Sequence, residues 1–278
     1  MSYSTFSLQQ DGAILRVSLS NPPINLMSGK MMQELFQLGG QLFADEKTKV
    51  VIFDSADPDF FIAHVDLNDL LDPNAPVSAS PDINILQSLA LSWQALPQVT
   101  IAKVKGRVRG GGLEFIMGLQ MRFAAEDARF CSPEALGGFL ACGGGTTRVS
   151  LAAGPARALE FLLTARDFSG AEAERYGLVN RALPARELDA YVEDVAARVA
   201  RRSRAVIAMH REVQKQAFAA VVEPLFASFA AENAGMRAAL EGSEMKQILA
   251  VTMKEVPQER ASELDLPENL NRVSPTFP

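Results

Sequence analysis

Two glutamates stand beside segments of backbone that can offer free N–H groups. Glu114 directly follows the glycines at 110–112 and lies in an apolar run, and Glu134 follows Ser132-Pro133. Consecutive glycines let a ligand approach the main chain closely, and the N-terminus of the helix after them supplies unpaired donors and partial positive charge. Together these groups suit acid–base chemistry on a polarised carbonyl, with the main chain holding the oxyanion.

Each glutamate also has a purely structural interpretation. Glu114 could favour the first helical turn through the helix dipole, a contribution of only about 0.3–1 kcal/mol. Burying a charge among apolar neighbours costs more than that, which favours a functional role. For Glu134, a serine cap followed by a proline is an ordinary helix start, so its role is open until it is paired with Glu114.

Several other kinds of site are disfavoured by the sequence. The two histidines, His64 and His210, and the two cysteines, Cys131 and Cys142, lack the short spacing of metal ligands, so we expect no metal. We interpret the cysteines as reduced core thiols and His210 as a surface or packing residue, while His64 could be structural or line a site. Neither the glycine turn at 110–112 nor a second one at 143–145 matches a P-loop or a dinucleotide fingerprint, and the chain has no G-x-S-x-G elbow.

The elements that must position these residues alternate between strand and helix, which indicates a layered α/β fold. Asp11-Gly12 predicts a hairpin turn, Ser28 predicts a helix cap, and the segment 69–81 predicts a polar surface loop at the mouth of a site. The predicted elements up to residue 153 are strands at 6–10, 14–19, 50–53, 100–104, 121–125 and 128–131, and helices at 29–44, 82–96 and 148–153.

The C-terminal third of the sequence predicts helices. Residues 188–218 have the spacing of one long amphipathic helix, Pro224 should interrupt it, and 225–254 should continue as helix. The last twenty or so residues, rich in proline, predict an extended tail. We therefore expect a core at 1–200 that holds the site, followed by a helical region and tail at 201–278.

Composition limits the class of protein. The chain has 278 residues, of which 48% are hydrophobic, enough for one large domain or a domain with an appendage. A formal net charge of -6 argues against a nucleic-acid-binding surface. The N-terminus lacks the features of a signal peptide, and no apolar run approaches the ~18 residues of a membrane span. We expect a cytoplasmic protein that does not insert into a membrane.

Five motifs in order give the sequence a family resemblance. Gly-Gly-Gly-Leu-Glu, Phe-Cys-Ser-Pro-Glu, Gly-Gly-Gly-Thr-Thr-Arg, Phe-Leu-Leu-Thr-Ala-Arg and Tyr-Gly-Leu-Val-Asn lie between residues 97 and 183. With the upstream Asn-Pro-Pro-Ile-Asn at 21–25 and the segment 61–67, they resemble the crotonase (enoyl-CoA hydratase/isomerase) superfamily over about residues 3 to 200. The region after 200 is similar more loosely to the family's C-terminal trimerisation helices.

The resemblance implies a spiral of ββα units, assembled as homotrimers or homohexamers, that acts on acyl-CoA thioesters. The oxyanion hole would be the N–H groups of Val65 and Gly111. Glu114 would hold or deprotonate the water that attacks the β-carbon, and Glu134 would exchange a proton at the α-carbon. No metal or redox cofactor is implied, because coenzyme A arrives with the substrate. Residues expected to line the substrate by the same match are Ala63, His64, Asp66, Leu67, Gly110, Gly112, Pro133 and Gly143.

Three departures from the family pattern leave the substrate open. His64 stands where the family usually has glycine, Arg107 and Arg109 flank a loop that is usually less charged, and Ala141-Cys142 replaces a proline-containing sequence. The presence of both glutamates favours a hydratase. The alternatives are an isomerase or C–C bond hydrolase or lyase of the same superfamily, a non-catalytic acyl-CoA-binding protein and, least favoured at this charge, a nucleic-acid-binding protein.

Overall fold

The computed structural model describes residues 3–71, 83–217 and 219–273 of the chain. The strands in this part of the chain are β1 (Phe6–Asp11), β2 (Ile14–Leu19), β3 (Val50–Ser55), β4 (Phe60–Ile62), β5 (Val99–Val104), β6 (Arg107–Arg109), β7 (Met121–Ala125), β8 (Arg129–Cys131), β9 (Phe168–Ser169) and β10 (Arg181–Leu183).

The helices in the same ranges fall into a core set and a C-terminal set. The core helices are α1 (Gly29–Ala44), α2 (Leu67–Leu71), α3 (Ile85–Ala95), α4 (Gly111–Ile116), α5 (Gly145–Ala153), α6 (Pro155–Thr164) and α7 (Gly170–Arg175), with a 3-10 helix at Pro133–Gly137. The C-terminal helices are α8 (Ala185–Ala200), α9 (Arg204–Ala217), α10 (Ala219–Glu241), α11 (Ser243–Glu255), α12 (Arg260–Leu264) and α13 (Leu266–Val273).

The strands form two sheets, and the chain passes back and forth between them. One sheet has six strands in the order β1-β2-β3-β5-β7-β10, and the other has four in the order β4-β6-β8-β9. The strands β3, β5 and β7 enter the first sheet, and each is followed by a strand of the second sheet and then by helix. This repeated ββα unit is the predicted spiral, with the parallel strands β2, β3, β5 and β7 at its centre.

Local sequence signals set the first elements as predicted. Asp11 pairs with Ile14 across the hairpin, where Gly12 adopts a positive φ of 54° that suits glycine. Ser28 caps α1, because its hydroxyl accepts a hydrogen bond from the N–H of Met31 at 3.3 Å. The predictions of the hairpin and of the capped helix at 29–44 are confirmed.

An aromatic cluster in the core fixes the helices around the glycine turn. Phe53 of β3, Trp93 of α3 and Phe115 of α4 meet edge to face, with ring centroids 4.9 to 6.1 Å apart. All three side chains are almost fully buried. Aromatic pairs of this geometry add to the stabilisation from burial itself, so α4 and the glycines before it are held firmly against the sheet.

The prediction of a single helix at 188–218 is wrong. The helix ends at Ala200, and a new one begins at Arg204. At the break, the ammonium group of Lys49 donates to the main-chain oxygens of Ala200 and Arg202 at 2.9 and 2.8 Å. Lys49 thus binds carbonyl oxygens that would accept N–H groups of the next turn in a continuous helix. This contact joins segments far apart in sequence, so local periodicity cannot reveal it.

Two further predictions for the C-terminal third are also wrong. Pro224 does not interrupt a helix, since α10 continues past it to Glu241, and the break falls at Gly242 instead. Residues 258–273 are not an extended tail, because α12 and α13 fold back onto the protein and bury Leu266 and Leu270 against Val256, while residues 274–278 lie outside the described residues. Apolar side chains four residues apart on α13 were the local signal for this helix.

Two remaining sequence predictions concern loops and membranes. In the predicted loop at 69–81, residues 69–71 belong to α2, and residues 72–81 lie outside the described residues. Among the helices of the described residues, none combines the length and the apolar character that crossing a bilayer requires.

Candidate active site

One cavity of about 90 Å³ brings together residues from distant parts of the chain. It is large enough for several water molecules. Seven of the predicted site residues line it, namely His64, Val65, Leu67, Gly111, Glu114, Pro133 and Glu134. Much of the remaining wall is apolar, and it includes Leu86, Phe139, Leu140, Leu249, Leu266 and Leu270. Such a cavity, apolar with a few convergent polar groups, is typical of a small-molecule site.

The main chain at Val65 is oriented by a bridge to Met27. The N–H of Met27 donates to the carbonyl of His64 at 2.8 Å, and the N–H of Asp66 donates to the carbonyl of Met27 at 3.2 Å. Because the N–H and C=O of one peptide unit point in opposite directions, the Val65 N–H points away from Met27. Within the described residues this N–H finds no acceptor.

The second predicted donor belongs to Gly111 in the first turn of α4. Gly110 precedes it with a positive φ of 48° and donates to the carbonyl of Cys131 at 3.1 Å. As the first helical residue, Gly111 has no intrahelical acceptor for its N–H, and the described part of the chain supplies none. A Cβ at Gly111 would lie only 2.3 Å from Cγ2 of Val65, so the two donor residues are in direct contact and the contact requires glycine.

Glu114 is buried, with 3% of its surface exposed, and is held by the second glycine turn. Its Oε1 accepts hydrogen bonds from the N–H groups of Gly143 at 2.6 Å and Gly145 at 2.9 Å. Burial raises the pKa of Glu114 well above its ordinary value, and the nearby carboxylates of Glu134 and Glu232 raise it further. Both main-chain donors bind Oε1. Among the described residues, no donor binds Oε2.

Glu134 lies at the start of the 3-10 helix, where the predicted serine cap is absent. The hydroxyl of Ser132 donates instead to Oε2 of Glu134 at 2.6 Å. Burial raises the pKa of Glu134, although this hydrogen bond and the nearby His64 oppose the rise. Its Oε1 lies against Gly110, where a Cβ would be only 2.9 Å away. The glutamate is therefore packed beside the turn that carries the Gly111 donor.

The other five predicted lining residues stand behind the cavity wall. Ala63 packs in a small apolar cluster, and Asp66 accepts a hydrogen bond from Gln258 at 3.2 Å. Gly110 contacts Glu134, Gly112 packs against Ile62, and Gly143 donates to Glu114. A contact between these residues and a substrate stays a prediction, as do the roles of the seven lining residues.

Sequence reasoning missed a buried carboxylate on α10. Glu232 accepts hydrogen bonds from the N–H groups of Gly144 at 2.9 Å and Thr147 at 2.8 Å, and from the amide of Gln87 at 3.0 Å. Burial raises its pKa. Glu232 and Glu114 therefore hold the same glycine turn from two sides. No local motif marks Glu232, because its partners lie 85 or more positions away.

A second missed carboxylate lines the cavity itself. Glu263 of α12 is 1% exposed, and its Oε1 lies 2.9 Å from Nε2 of His64. His64, which the sequence left as either a structural or a site-lining residue, is a buried side chain that both lines the cavity and pairs with a carboxylate. His64 does not adopt a positive φ, so a side chain replaces the family's usual glycine without backbone strain.

The structure also bears on two other kinds of chemistry, thiolate chemistry and metal binding. Cys131 and Cys142 are free, and burial raises the pKa of both thiols well above the ordinary value, which disfavours the thiolate. Among the residues that the structure describes, no group of three or more His, Cys, Asp or Glu side chains is arranged to hold a metal ion.

Comparisons with known proteins agree with this architecture. The sequence profile of the family described as "Enoyl-CoA hydratase/isomerase" matches residues 9–248. The chain is 30% identical to a probable enoyl-CoA hydratase of Mycobacterium tuberculosis, over 78% of this chain and 84% of the relative. It is 27% identical to a carnitinyl-CoA dehydratase of Proteus mirabilis, over 73% and 77%.

A solved structure is similar over nearly the whole length. The crystal structure of a protein assigned as an enoyl-CoA hydratase from Streptomyces avermitilis superposes with a TM-score of 0.87 and 36% identity, covering 98% of this chain and 99% of that one. The two-sheet spiral, the C-terminal helices and the matched profile lead to one conclusion, that this chain belongs to the enoyl-CoA hydratase/isomerase (crotonase) superfamily.

Proposed function

We propose that the protein is a hydro-lyase that adds water across the double bond of a 2-enoyl-CoA and catalyses the reverse dehydration. The observation that carries the proposal is the meeting of two unpartnered main-chain donors and two buried carboxylates at one cavity. Acyl-CoA thioesters are the substrates typical of the family, and relatives named as hydratases and a dehydratase support the same reaction class.

The oxyanion hole would act on the thioester oxygen. When water attacks the β-carbon, the electron pair of the double bond moves through the α-carbon onto this oxygen. The N–H groups of Val65 and Gly111 would bind the negative charge as it develops, in a site from which apolar walls exclude bulk water. Loss of one such donor typically costs about 10²–10³ in turnover.

The two glutamates would move the protons. Glu114 is held through Oε1, so Oε2 can take a proton from the attacking water. Glu134 can deliver a proton to the α-carbon, which restores the thioester carbonyl. Because the two buried carboxyls repel one another as anions, the pair favours a state in which only one of them carries a proton. One acid and one base are what addition and elimination of water both need.

Replacing each glutamate separately by glutamine tests the proposal. Both variants should lose at least about 10² in kcat on crotonyl-CoA or on longer and aromatic enoyl-CoAs, measured as loss of the conjugated thioester absorption. Glu46→Gln, at an exposed position, is the matched control and should keep full activity. Survival of activity in Glu114→Gln would instead indicate a one-carboxylate isomerase. Intact CoA binding without turnover across the panel would indicate a non-catalytic binding protein.

A further inference from the structure

The His64 ring lies between two hydrogen-bond acceptors. Its Nδ1 is 2.7 Å from the carbonyl oxygen of Val65, and its Nε2 is 2.9 Å from Oε1 of Glu263. A carbonyl oxygen only accepts, so Nδ1 must carry a proton. A carboxylate also only accepts, so Nε2 carries a proton too, and the ring is then an imidazolium. The one alternative is a neutral ring that faces a protonated Glu263.

The surrounding charges favour the ion pair. Arg109 is fully buried and donates through Nη1 to the main-chain oxygen of Glu263 at 2.5 Å, so a second cation stands beside this carboxylate. Asp167 neutralises Arg109 from the other side through two hydrogen bonds. Burial and, to a smaller extent, the charge of Arg109 lower the pKa of His64, but Glu263 and the two hydrogen bonds outweigh both and raise that pKa above its ordinary value. Glu134 on the 3-10 helix also lies near His64, whose charge opposes the rise in the pKa of that carboxyl.

The His64–Glu263 ion pair also contacts both main-chain segments that carry the proposed donors, the one at Val65 and the one at Gly110. His64 precedes Val65 directly and holds the carbonyl of Val65, so the ring restrains the peptide units on either side of that donor. A Cβ at Gly110, the residue before the second donor, would lie 3.4 Å from Cβ of His64. The His64 side chain therefore lines the same cavity as the two donors and packs against the turn that carries the second one.

The segment that supplies Glu263 is hydrogen-bonded to the same two parts of the main chain. Gln258 accepts from the N–H of Leu67 at 3.0 Å and donates to Asp66 at 3.2 Å. Arg107 on β6 donates to the carbonyl of Leu264 at 2.8 Å. One short C-terminal segment, residues 258–264, thus binds the loop that follows β4 and the strand that leads into Gly110.

We propose that His64 is a buried imidazolium, held by Glu263, which positions the Val65 donor and adds a fixed positive charge to the oxyanion hole. Glu263 and His64 are positioning residues for the hole. The assignment of the bound anion to a thioester oxygen rests on the proposed function, whereas the charge state of the pair does not.

The charge state can be measured without turnover. The chain has only two histidines, so a two-dimensional ¹H–¹³C spectrum of the imidazole Cε1–H groups contains two signals, and His210→Gln assigns them by the loss of one. We expect the His64 signal to keep the imidazolium shift at pH 7.5 in the wild-type protein and to move to the neutral shift in Glu263→Gln. A wild-type signal at the neutral shift would overturn the proposal, whatever the activity of the enzyme.

The effect on the hole is measured with trans-cinnamoyl-CoA, whose absorption moves to the red when its carbonyl is polarised. Glu263→Gln can keep the hydrogen bond to His64 without the charge, so it should still bind this thioester but with a smaller red shift. In turnover assays kcat should fall about tenfold with little change in KM, less than the 10²–10³ expected for loss of a whole donor. Glu259→Gln, at an exposed position on the same segment, should leave both readouts unchanged.

The outcomes separate the possibilities. A lower melting temperature in Glu263→Gln with an unchanged red shift would show a merely structural role and refute the proposal. No turnover by the wild-type protein, together with an imidazolium signal and a red shift that depends on Glu263, would refute the hydratase function and leave the ion pair in place.

Discussion

Replacing Gly111 by alanine should move apart the two main-chain donors of the proposed oxyanion hole. The added Cβ would lie 2.3 Å from Cγ2 of Val65, against an ordinary contact of 3.4–4 Å, so the two residues must move apart by about 1 Å or more. Gly111 does not have a positive φ, so alanine meets no obstacle from the backbone itself. Val65 has few other rotamers, because its β-branched side chain is stiff about χ1. The strain therefore falls on the two main-chain segments that carry the donors.

The expected loss follows from that displacement. A misplacement of about 1 Å in a catalytic constellation can cost about 10²-fold, and loss of one oxyanion donor costs about 10²–10³. We expect Gly111→Ala to lower kcat by about 10²-fold, measured on the best enoyl-CoA of the panel as loss of the conjugated thioester absorption. Gly40→Ala is the control, since Cβ there meets nothing within 4 Å, and it should keep activity and stabilise helix α1 by about 1 kcal/mol.

A double variant distinguishes displacement from a general loss of structure. Val65→Ala removes the methyl group that the new Cβ would strike and leaves the main-chain N–H in place, so alone it should change kcat little. In Gly111→Ala/Val65→Ala the nearest remaining contact to the new Cβ is Leu86 at an ordinary 3.5 Å, and most of the activity should return. Full activity in Gly111→Ala, or a double variant no better than Gly111→Ala alone, would refute the reasoning.

Two further predictions concern stability. Because burial raises the pKa of Glu114, the folded protein retains a proton that the unfolded chain releases above its ordinary pKa of about 4.3, so this group lowers stability as pH rises through that window, by up to about 1.4 kcal/mol per pH unit. Glu114→Gln should therefore melt above the wild type at pH 8, with the difference vanishing below about pH 4, and a constant difference across this range would contradict it. Arg109→Met leaves Asp167 and the carbonyl of Glu263 without their partner, and we expect a loss of about 3–5 kcal/mol in urea unfolding. Arg109→Met/Asp167→Leu should recover part of that loss, and an additive double variant would show that the pair is not coupled.

Sequence reasoning succeeded where structure is set by neighbours along the chain. The hairpin at Asp11-Gly12, the cap at Ser28 and the glycine turn before Glu114 each depend on residues within a few positions of one another. The motifs of the resemblance pointed to Val65 and Gly111, which line one cavity although they are far apart in sequence. Their role as oxyanion donors stays a prediction.

Sequence reasoning failed where a contact joins distant segments. The break before Arg204 depends on Lys49, some 150 residues earlier, and neither residue carries a local signal for the other. Glu232 lies in a predicted helix and Glu263 in the predicted tail, neither has a local motif, and only the folded chain shows that both are buried. The helix α13 is a different kind of miss, since the spacing of Leu266 and Leu270 was visible and the prolines around it outweighed that spacing in the prediction.

Two of the three departures of this sequence from the family pattern, at position 64 and at positions 107 and 109, form one feature in the structure. His64, Arg107 and Arg109 all bind the segment 258–264, through Glu263 and the carbonyls of Glu263 and Leu264. Each of these three residues departs from the family pattern, and together they bind the segment 258–264. This segment and α13 form one side of the cavity.

This segment lies beyond the part of the chain that the family profile matches. The profile ends at residue 248, whereas the Streptomyces avermitilis structure covers 98% of the chain. The walls contributed by Glu263, Leu266 and Leu270 therefore distinguish this cavity from one built by the shared core alone. If the protein acts on an acyl-CoA as proposed, the shape and polarity of that wall would set its acyl selectivity, and proteins that share the C-terminal segment would be better guides to the acyl group than relatives matched only over the core.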